Sequence, residues 1–357
     1  MNGRVVESTR ETTVPDTKRI LSIDGGGIKG ACPIGFLEQV ETSTRQRIVD
    51  HFDLIVGTST GGIVALGLGL GLSAARLLAF YRDDGPQVFG ELATVEEAGW
   101  LTRTVVKISN PMGRLGRSIR QFVGPKHDPG MLGSALQRAF EGRLLGESLT
   151  RLVIPAYHPA RQTVYVFKTS HHPRLEVDHT CKATDVALAT AAAPTYFPAH
   201  ELEGGASLID GGIWANNPVG LAVVEAIGVL GWDRAAIKVL SLGCTDEVYI
   251  PGPRAGIAQL NKGVLRLLMQ GQSRYALGTA KILVGEDNFY RISPSVPRGQ
   301  FSLDGVEHLP ELIGLGAACA RDALPMLRRE FITQPREEFI PFHGARSQSV
   351  PPQAAVP

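Results

Sequence analysis

Three short glycine-flanked segments hold the residue types that could do acyl chemistry: Gly57-Thr58-Ser59-Thr60-Gly61, Asp210-Gly211-Gly212 and Gly25-Gly26-Gly27. The first follows an apolar run at 52–56 and precedes a helical stretch, the setting in which G-x-S-x-G makes a nucleophile elbow. Gly57 and Gly61 leave room for a turn sharp enough to lift the Ser59 hydroxyl above the carboxyl edge of a sheet, with a helix N-terminus aimed at it. Asp210 ends a second apolar run, so it too sits where loops leave a strand, and its carboxylate is a candidate general base for Ser59. D-G-G alone fits a turn or a helix cap more readily; three polar sites at strand ends in one chain shift the balance toward chemistry.

The glycine run raises a rival reading, because G-G-G-I-K-G at 25–30 satisfies the G-x-G-x-x-G pattern of a dinucleotide loop. That fold needs an acid at the end of its second strand to bind the ribose; here the second strand ends in Gly-Thr-Ser, and Asp53 stands at its beginning. A phosphate loop fails as well, since Gly30 is followed by Ala31 and Cys32 instead of Lys-Ser or Lys-Thr. What remains is a row of unhindered amides at Gly25, Gly26 and Gly27, suited to the oxygen anion of a tetrahedral intermediate. The other rival is a histidine triad. His308 and His343 follow Asp210 in the order that triad would need, the second of them in the C-terminal tail; His200 precedes it and reads as structural or substrate-facing.

The elements that must position these groups are short β-rich runs at 19–23, 52–56, 152–155, 163–167, 207–209, 237–242 and 288–292. They alternate with helical candidates at 30–43, 60–70, 73–82, 131–141, 184–191, 217–230, 257–283 and 307–330. Continuous apolar strands between helices predict an α/β fold with a mostly parallel sheet covered on both faces. One domain at 19–332 is expected, between a flexible arm at 1–18 and a Pro-rich tail at 333–357. The helices at 257–283 and 307–330 read as core, with an interface between copies in a homo-oligomer as the alternative.

Lysine and arginine total 36 against 35 acids, so the overall charge offers no reason to expect a nucleic-acid polymer as partner. The four cysteines, Cys32, Cys181, Cys244 and Cys319, are scattered without a C-x-x-C pair, which suits buried thiols better than a zinc site or a disulfide framework. The polar N-terminus lacks a signal-peptide core, and the uncharged run at 54–75 is too rich in Gly, Ser and Thr for a membrane span; a cytoplasmic location follows as the expectation.

Taken together, DGGGIKG at 24–30, GTSTGG at 57–62, ATAAAPTYFPAH at 189–200 and DGGIWANNPVG at 210–220 closely resemble the patatin-like phospholipases, in order and spacing over roughly 19–330. The resemblance implies a three-layer α/β/α fold and acyl-ester hydrolysis by a Ser–Asp dyad without histidine, metal or other cofactor. Carried over by position, Ser59 is the nucleophile, Asp210 the base, and Gly25, Gly26 and Gly27 the oxyanion donors, with Gly57, Gly61, Lys29, Gly211 and Gly212 in support. Lys29 stands where the family usually has arginine, so bidentate anchoring by that side chain does not carry over. The substrate so implied is a phospholipid membrane surface, reached from its cytoplasmic face.

One segment departs from the balanced charge. Residues 101–130 carry Arg103, Lys107, Arg114, Arg117, Arg120 and Lys126 against Asp128 alone. Such a stretch serves as a solvated loop, a contact for anionic headgroups, or a pocket for a phosphorylated activator. Within the family, bacterial antiphage effectors of similar length are switched on by cyclic oligonucleotides, and a cyclic di- or trinucleotide activator is expected on that resemblance, with Arg254 and Arg274 as further phosphate contacts. A constitutive housekeeping lipase or lysophospholipase, and a non-catalytic nucleotide- or lipid-binding module, are the alternatives.

Overall fold

The computed structural model describes residues 17–89, 129–247 and 263–344. Along the chain run β1 (Lys18–Ile23), α1 (Ala31–Thr44), β2 (Leu54–Gly57), α2 (Thr60–Gly69), α3 (Ala74–Asp83), α4 (Gly85–Phe89) and α5 (Pro129–Phe140). They are followed by β3 (Arg151–His158), β4 (Thr163–Lys168), α6 (Ala183–Ala191), β5 (His200–Glu201), β6 (Ser207–Asp210), α7 (Gly212–Ala215) and α8 (Val219–Gly228). β7 (Ile237–Leu242), α9 (Gly263–Val284), β8 (Phe289–Ile292) and α10 (Leu309–Glu330) complete the described elements.

The strands form one sheet in the order β5-β6-β3-β2-β1-β7-β8, with β4 also paired to β3. The five strands β3, β2, β1, β7 and β8 pair in parallel; β4 and β6 run antiparallel to β3. Period-two alternation sends successive side chains to opposite faces, and here both faces are covered. Leu21, Ile23, Ile55, Leu152, Ile154 and Leu242 join a core built with α1, α2, α3, α6 and α10. Ile20, Leu54, Val56, Val153 and Val239 join a second core with α8 and α9. That is why these strands read as continuous apolar runs, and why the uncharged stretch 54–75 is a buried strand and helix. Among the described residues no helix is long and apolar enough to cross a membrane.

The pairing of β3 sets up everything at the site. One edge takes β4 along its length, Val153 opposite Lys168 through His158 opposite Thr163. The other edge is divided: β2 occupies it up to Val56 opposite Val153, and β6 takes it over with Asp210 opposite Ala156. β2 and β6 therefore meet with their carboxyl ends toward each other, three residues apart along β3, about 10 Å.

The head of the expected tail behaves differently from the sequence reading. Residues 333–344 cross the amino ends of β1, β2 and β3: the Arg19 guanidinium donates to Thr333 Oγ1 and Gln334 O, and Arg336 donates to Val49 O and Leu149 O. Phe339 is buried with the Arg151 guanidinium over its ring, and the Phe342 amide donates to Ser170 O. A few anchors spaced without helical or strand period hold this strap, so no periodicity announces it. Phe339→Ala is expected to lower unfolding stability by about 3 kcal/mol through the cavity it leaves; urea denaturation measures the loss, and a change under ~0.5 kcal/mol would show that the strap carries no core.

Candidate active site

Ser59 occupies the first position after β2 at which the chain reverses into α2, with φ 55° and ψ −126°. A serine pays strain of about 1–3 kcal/mol in such a region, and surrounding contacts must hold it there. Its amide donates to Thr190 Oγ1 at 3.0 Å, and the Thr190 hydroxyl donates to Pro155 O on β3 at 2.6 Å. On the other side the Thr58 hydroxyl donates to Ala215 O at 2.6 Å. Gly61 completes the elbow, because a Cβ there would collide with the carbonyls of Ile23 and Asp24 at the end of β1.

The Ser59 hydroxyl donates to Asp210 Oδ2 at 2.6 Å, and the Gly212 amide donates to Asp210 Oδ1, also at 2.6 Å. Burial pushes the Asp210 carboxyl up to about 6, against the opposing pull of these two hydrogen bonds. The arrangement can pass the serine proton directly to a carboxylate whose basicity has been raised toward neutrality. Gly211, whose Cβ would strike the Pro155 carbonyl, lets the chain turn away from β6 at this point.

The glycine loop stands against this pair. A Cβ on Gly25 would lie 2.6 Å from Asn216 Oδ1 and 3.1 Å from Ser59 Cβ, so only glycine allows the loop so close. The three amides are not equivalent, which the sequence does not reveal. The Gly25 amide is spent on Asn216 O at 2.9 Å, and the Gly26 amide donates to Thr60 Oγ1 at 3.2 Å. Among the described residues the Gly27 amide meets no acceptor. A backbone N–H has one hydrogen, so Gly25 and Gly26 both hold the loop in place and the Gly27 amide is the one left able to receive an anion. Lys29 lies in a half-buried ion pair with Glu247 at 3.4 Å.

Next to Ala192, whose carbonyl accepts from the Asp210 amide, a mainly apolar cavity of about 70 Å³ is lined by Leu132, Leu188, Ala191, Ala192 and Phe197, with His200 at its wall. Among the described residues no histidine is bonded to Ser59 or Asp210: His200 pairs with Asp185, His308 with Glu307 and Glu311, and His343 bonds Pro173 O. No group of three or more His, Cys, Asp or Glu among these residues could hold a metal ion. Arg103, Lys107, Arg114, Arg117, Arg120, Lys126 and Arg254 lie outside the described residues; Arg274 is exposed on α9, 3.5 Å from Asp246.

Three supporting residues escape a reading by motif. Thr190 lies inside ATAAAPTYFPAH as the one hydroxyl of its alanine run, and nothing in that motif gives its place at the elbow. Asn216 lies inside DGGIWANNPVG but holds Gly25 by both carbonyl and side chain. Arg291, the one charge on β8, forks onto Asp24 at 3.0 and 2.6 Å and ties the end of β1 to its far neighbours.

A family profile described as patatin-like phospholipase matches residues 21–223. A Pseudomonas aeruginosa protein named cGAMP-activated phospholipase is 36% identical over 254 residues, covering 71% of this chain and 68% of its own. A Vibrio cholerae protein of the same name is 32% identical, covering 66% of each. Patatin-like protein 2 of Arabidopsis thaliana is 34% identical over 230 residues, covering 58% of this chain and 52% of its own. The chain thus spans about two thirds of the length of the bacterial relatives and about half of the plant one.

Two outcomes follow from the geometry. Ser59→Gly relieves the left-handed backbone while Ser59→Ala keeps it, and both lose the hydroxyl bonded to Asp210, so the glycine variant should be more stable than the alanine variant by about 1–3 kcal/mol in urea denaturation; equal stability would show that the elbow is unstrained. A folded-state value raised to about 6 means that Asp210 adds stability while protonated and loses it as pH rises from the ordinary carboxylate range through 6. Stability of the wild type relative to Asp210→Asn should therefore fall by on the order of 3 kcal/mol between about pH 4 and about pH 7; a flat difference would place the carboxyl at its ordinary value.

Proposed function

The chain belongs to the patatin-like phospholipase family, and from that premise we propose that it hydrolyses acyl esters of membrane phospholipids through Ser59 and Asp210. The observation that carries this reading is the 2.6 Å hydrogen bond from a left-handed serine to a buried carboxylate with raised basicity. Ser59 Oγ attacks the ester carbonyl as its proton passes to Asp210 Oδ2, and the carbonyl oxygen becomes an anion received by the Gly27 amide, joined by the Gly26 amide if it leaves Thr60 Oγ1. Collapse of the intermediate expels the lipid alcohol, which takes the proton back from Asp210 and leaves an acyl-serine. Water then gives its proton to the same carboxylate and attacks the acyl carbon; the fatty acid leaves and Ser59 is restored. The mainly apolar cavity next to Ala192 suits the first carbons of an acyl chain.

The reading also includes a switch. Two relatives carry the name cGAMP-activated phospholipase, and residues 101–130 concentrate the cations that a cyclic dinucleotide's phosphates, or an anionic inner membrane face, would require. The enzyme is accordingly proposed to be latent until a cyclic nucleotide binds, with no cofactor for the chemistry itself. A constitutive lipase is the second reading, favoured by the similarity to the plant patatin-like protein.

Ser59→Ala and Asp210→Ala should each reduce hydrolysis of a fluorogenic phospholipid, and labelling by a fluorophosphonate, by roughly 1,000-fold or more. Labelling that persists in Ser59→Ala would place the nucleophile elsewhere. In the wild type kcat/KM should rise through about pH 6 and level off above it as Asp210 ionises. A panel of cyclic di- and trinucleotides added to the purified protein distinguishes the two readings: stimulation by one of them supports the switch, and full activity without additive, unchanged by all, supports the constitutive lipase.

A further inference from the structure

In the middle of α9 lies a polar turn, Gln270-Gly271-Gln272-Ser273-Arg274, whose side chains are spent on the loops around the dyad. Gln270 Nε2 donates to Glu247 O at 2.7 Å, and Ser273 Oγ accepts from Asn217 Nδ2 at 3.0 Å. Gln272 differs in gripping one element twice. Its Oε1 accepts from the Asn216 amide at 2.9 Å and its Nε2 donates to Ile213 O at 3.2 Å. The element so gripped is α7 with the residue after it, four residues of helix that can satisfy few of their own backbone groups.

What hangs from α7 is the site itself. At its start the Gly212 amide holds Asp210 Oδ1. Just beyond its end Asn216 brackets Gly25, accepting from the Gly25 amide at 2.9 Å and donating from Nδ2 to the Gly25 carbonyl at 3.2 Å. Gly25 is followed directly by Gly26, and then by Gly27, whose amide is the one left to receive an anion. One side chain, from a helix that carries no reacting group, is therefore the outer link of a path Gln272–Asn216–Gly25 that ends at the oxyanion loop. A glutamine offers both the acceptor and the donor that this double grip needs.

We propose that Gln272 is a positioning residue of the oxyanion loop, acting through Asn216 and Gly25 and touching no reacting atom, so that the seating of α9 sets the rate of the acylation step. The proposal rests on the ester-hydrolysis reading above. Oxyanion donors act only when they are held where charge develops, and a misplacement near 1 Å costs about 100-fold in rate.

The experiment compares wild type, Gln272→Met, Gln272→Glu, Asn216→Ala and the Gln272→Met/Asn216→Ala double variant. A short-chain fluorogenic ester and a fluorophosphonate serve as probes, with rates divided by the number of Ser59 sites labelled at completion. Gln272→Met keeps the shape and loses both bonds. It should lower kcat per labelled site by roughly 10- to 100-fold with KM nearly unchanged, and slow the labelling rate in parallel. Gln272→Glu keeps the acceptor for the Asn216 amide and should recover most of the rate. The double variant should fall no further than the worse single one, as for two links of one path. Wild-type kcat and labelling rate in Gln272→Met would overturn the proposal, as would additive losses, or a loss seen only as fewer labelled sites. If the wild type cleaves no ester, the functional reading fails while the labelling rates still decide the role of Gln272.

Discussion

The divided edge of β3 is the constraint on which the rest of the molecule depends. In a purely parallel sheet every strand ends on the same side, and a carboxylate at one strand end could reach a serine at another only across a loop. Here β2 releases the edge after Val56 and an antiparallel strand claims it at Asp210, so two strand ends face one another along a single rail. The hydroxyl and the carboxylate come from positions 151 residues apart, yet Asp210 is fixed by its own ladder pair and Ser59 stands two residues beyond the last ladder pair of β2. Thr190 then pins the elbow to that same rail by bonding both the Ser59 amide and the Pro155 carbonyl.

The chemistry proposed for this pair depends on the carboxylate being buried, reached only by the serine hydroxyl and by the one water that deacylates. An aspartate in solvent is a weak base, and its strength here comes from burial between the end of β6 and the turn into α7. Burial of a charge and left-handed backbone at Ser59 both destabilise the fold, and the two cores that sandwich the sheet offset them. The same carboxylate is available for both half-reactions, which removes the need for an imidazole but ties acylation and deacylation to one ionisation.

Much of this was legible in the sequence, for physical reasons. Strands buried on both faces must be mostly apolar, so β1, β2, β3 and β7 stand out as apolar runs broken only by residues such as Ser22 and Ser241. Turns that admit only glycine mark their strand ends, so Ser59 and Asp210 can be placed at a carboxyl edge from spacing alone. Direction is a different matter. Nothing in Ser207–Asp210 says that this strand runs against β3, and that reversal is what brings Asp210 to Ser59. Amide pairing is equally hidden: Gly25, Gly26 and Gly27 look alike in sequence, and only their partners separate the two that support the loop from the one left to donate. Arg291 and Gln272 act at distances of 267 and 56 residues from the groups they hold, beyond the reach of any local pattern.

The strap at 333–344 has a consequence for the order in which the chain is made. Arg19, at the start of the first strand, finds partners 314 and 315 residues later, in Thr333 and Gln334. A chain growing from the ribosome forms β1 early but cannot close these contacts until almost the last described residue has emerged. Contacts of such sequence separation are slow to form because loop closure precedes any gain from them. The amino end of the sheet thus stays unclasped until residues 333–336 have emerged, which makes this clasp one of the late contacts of the fold.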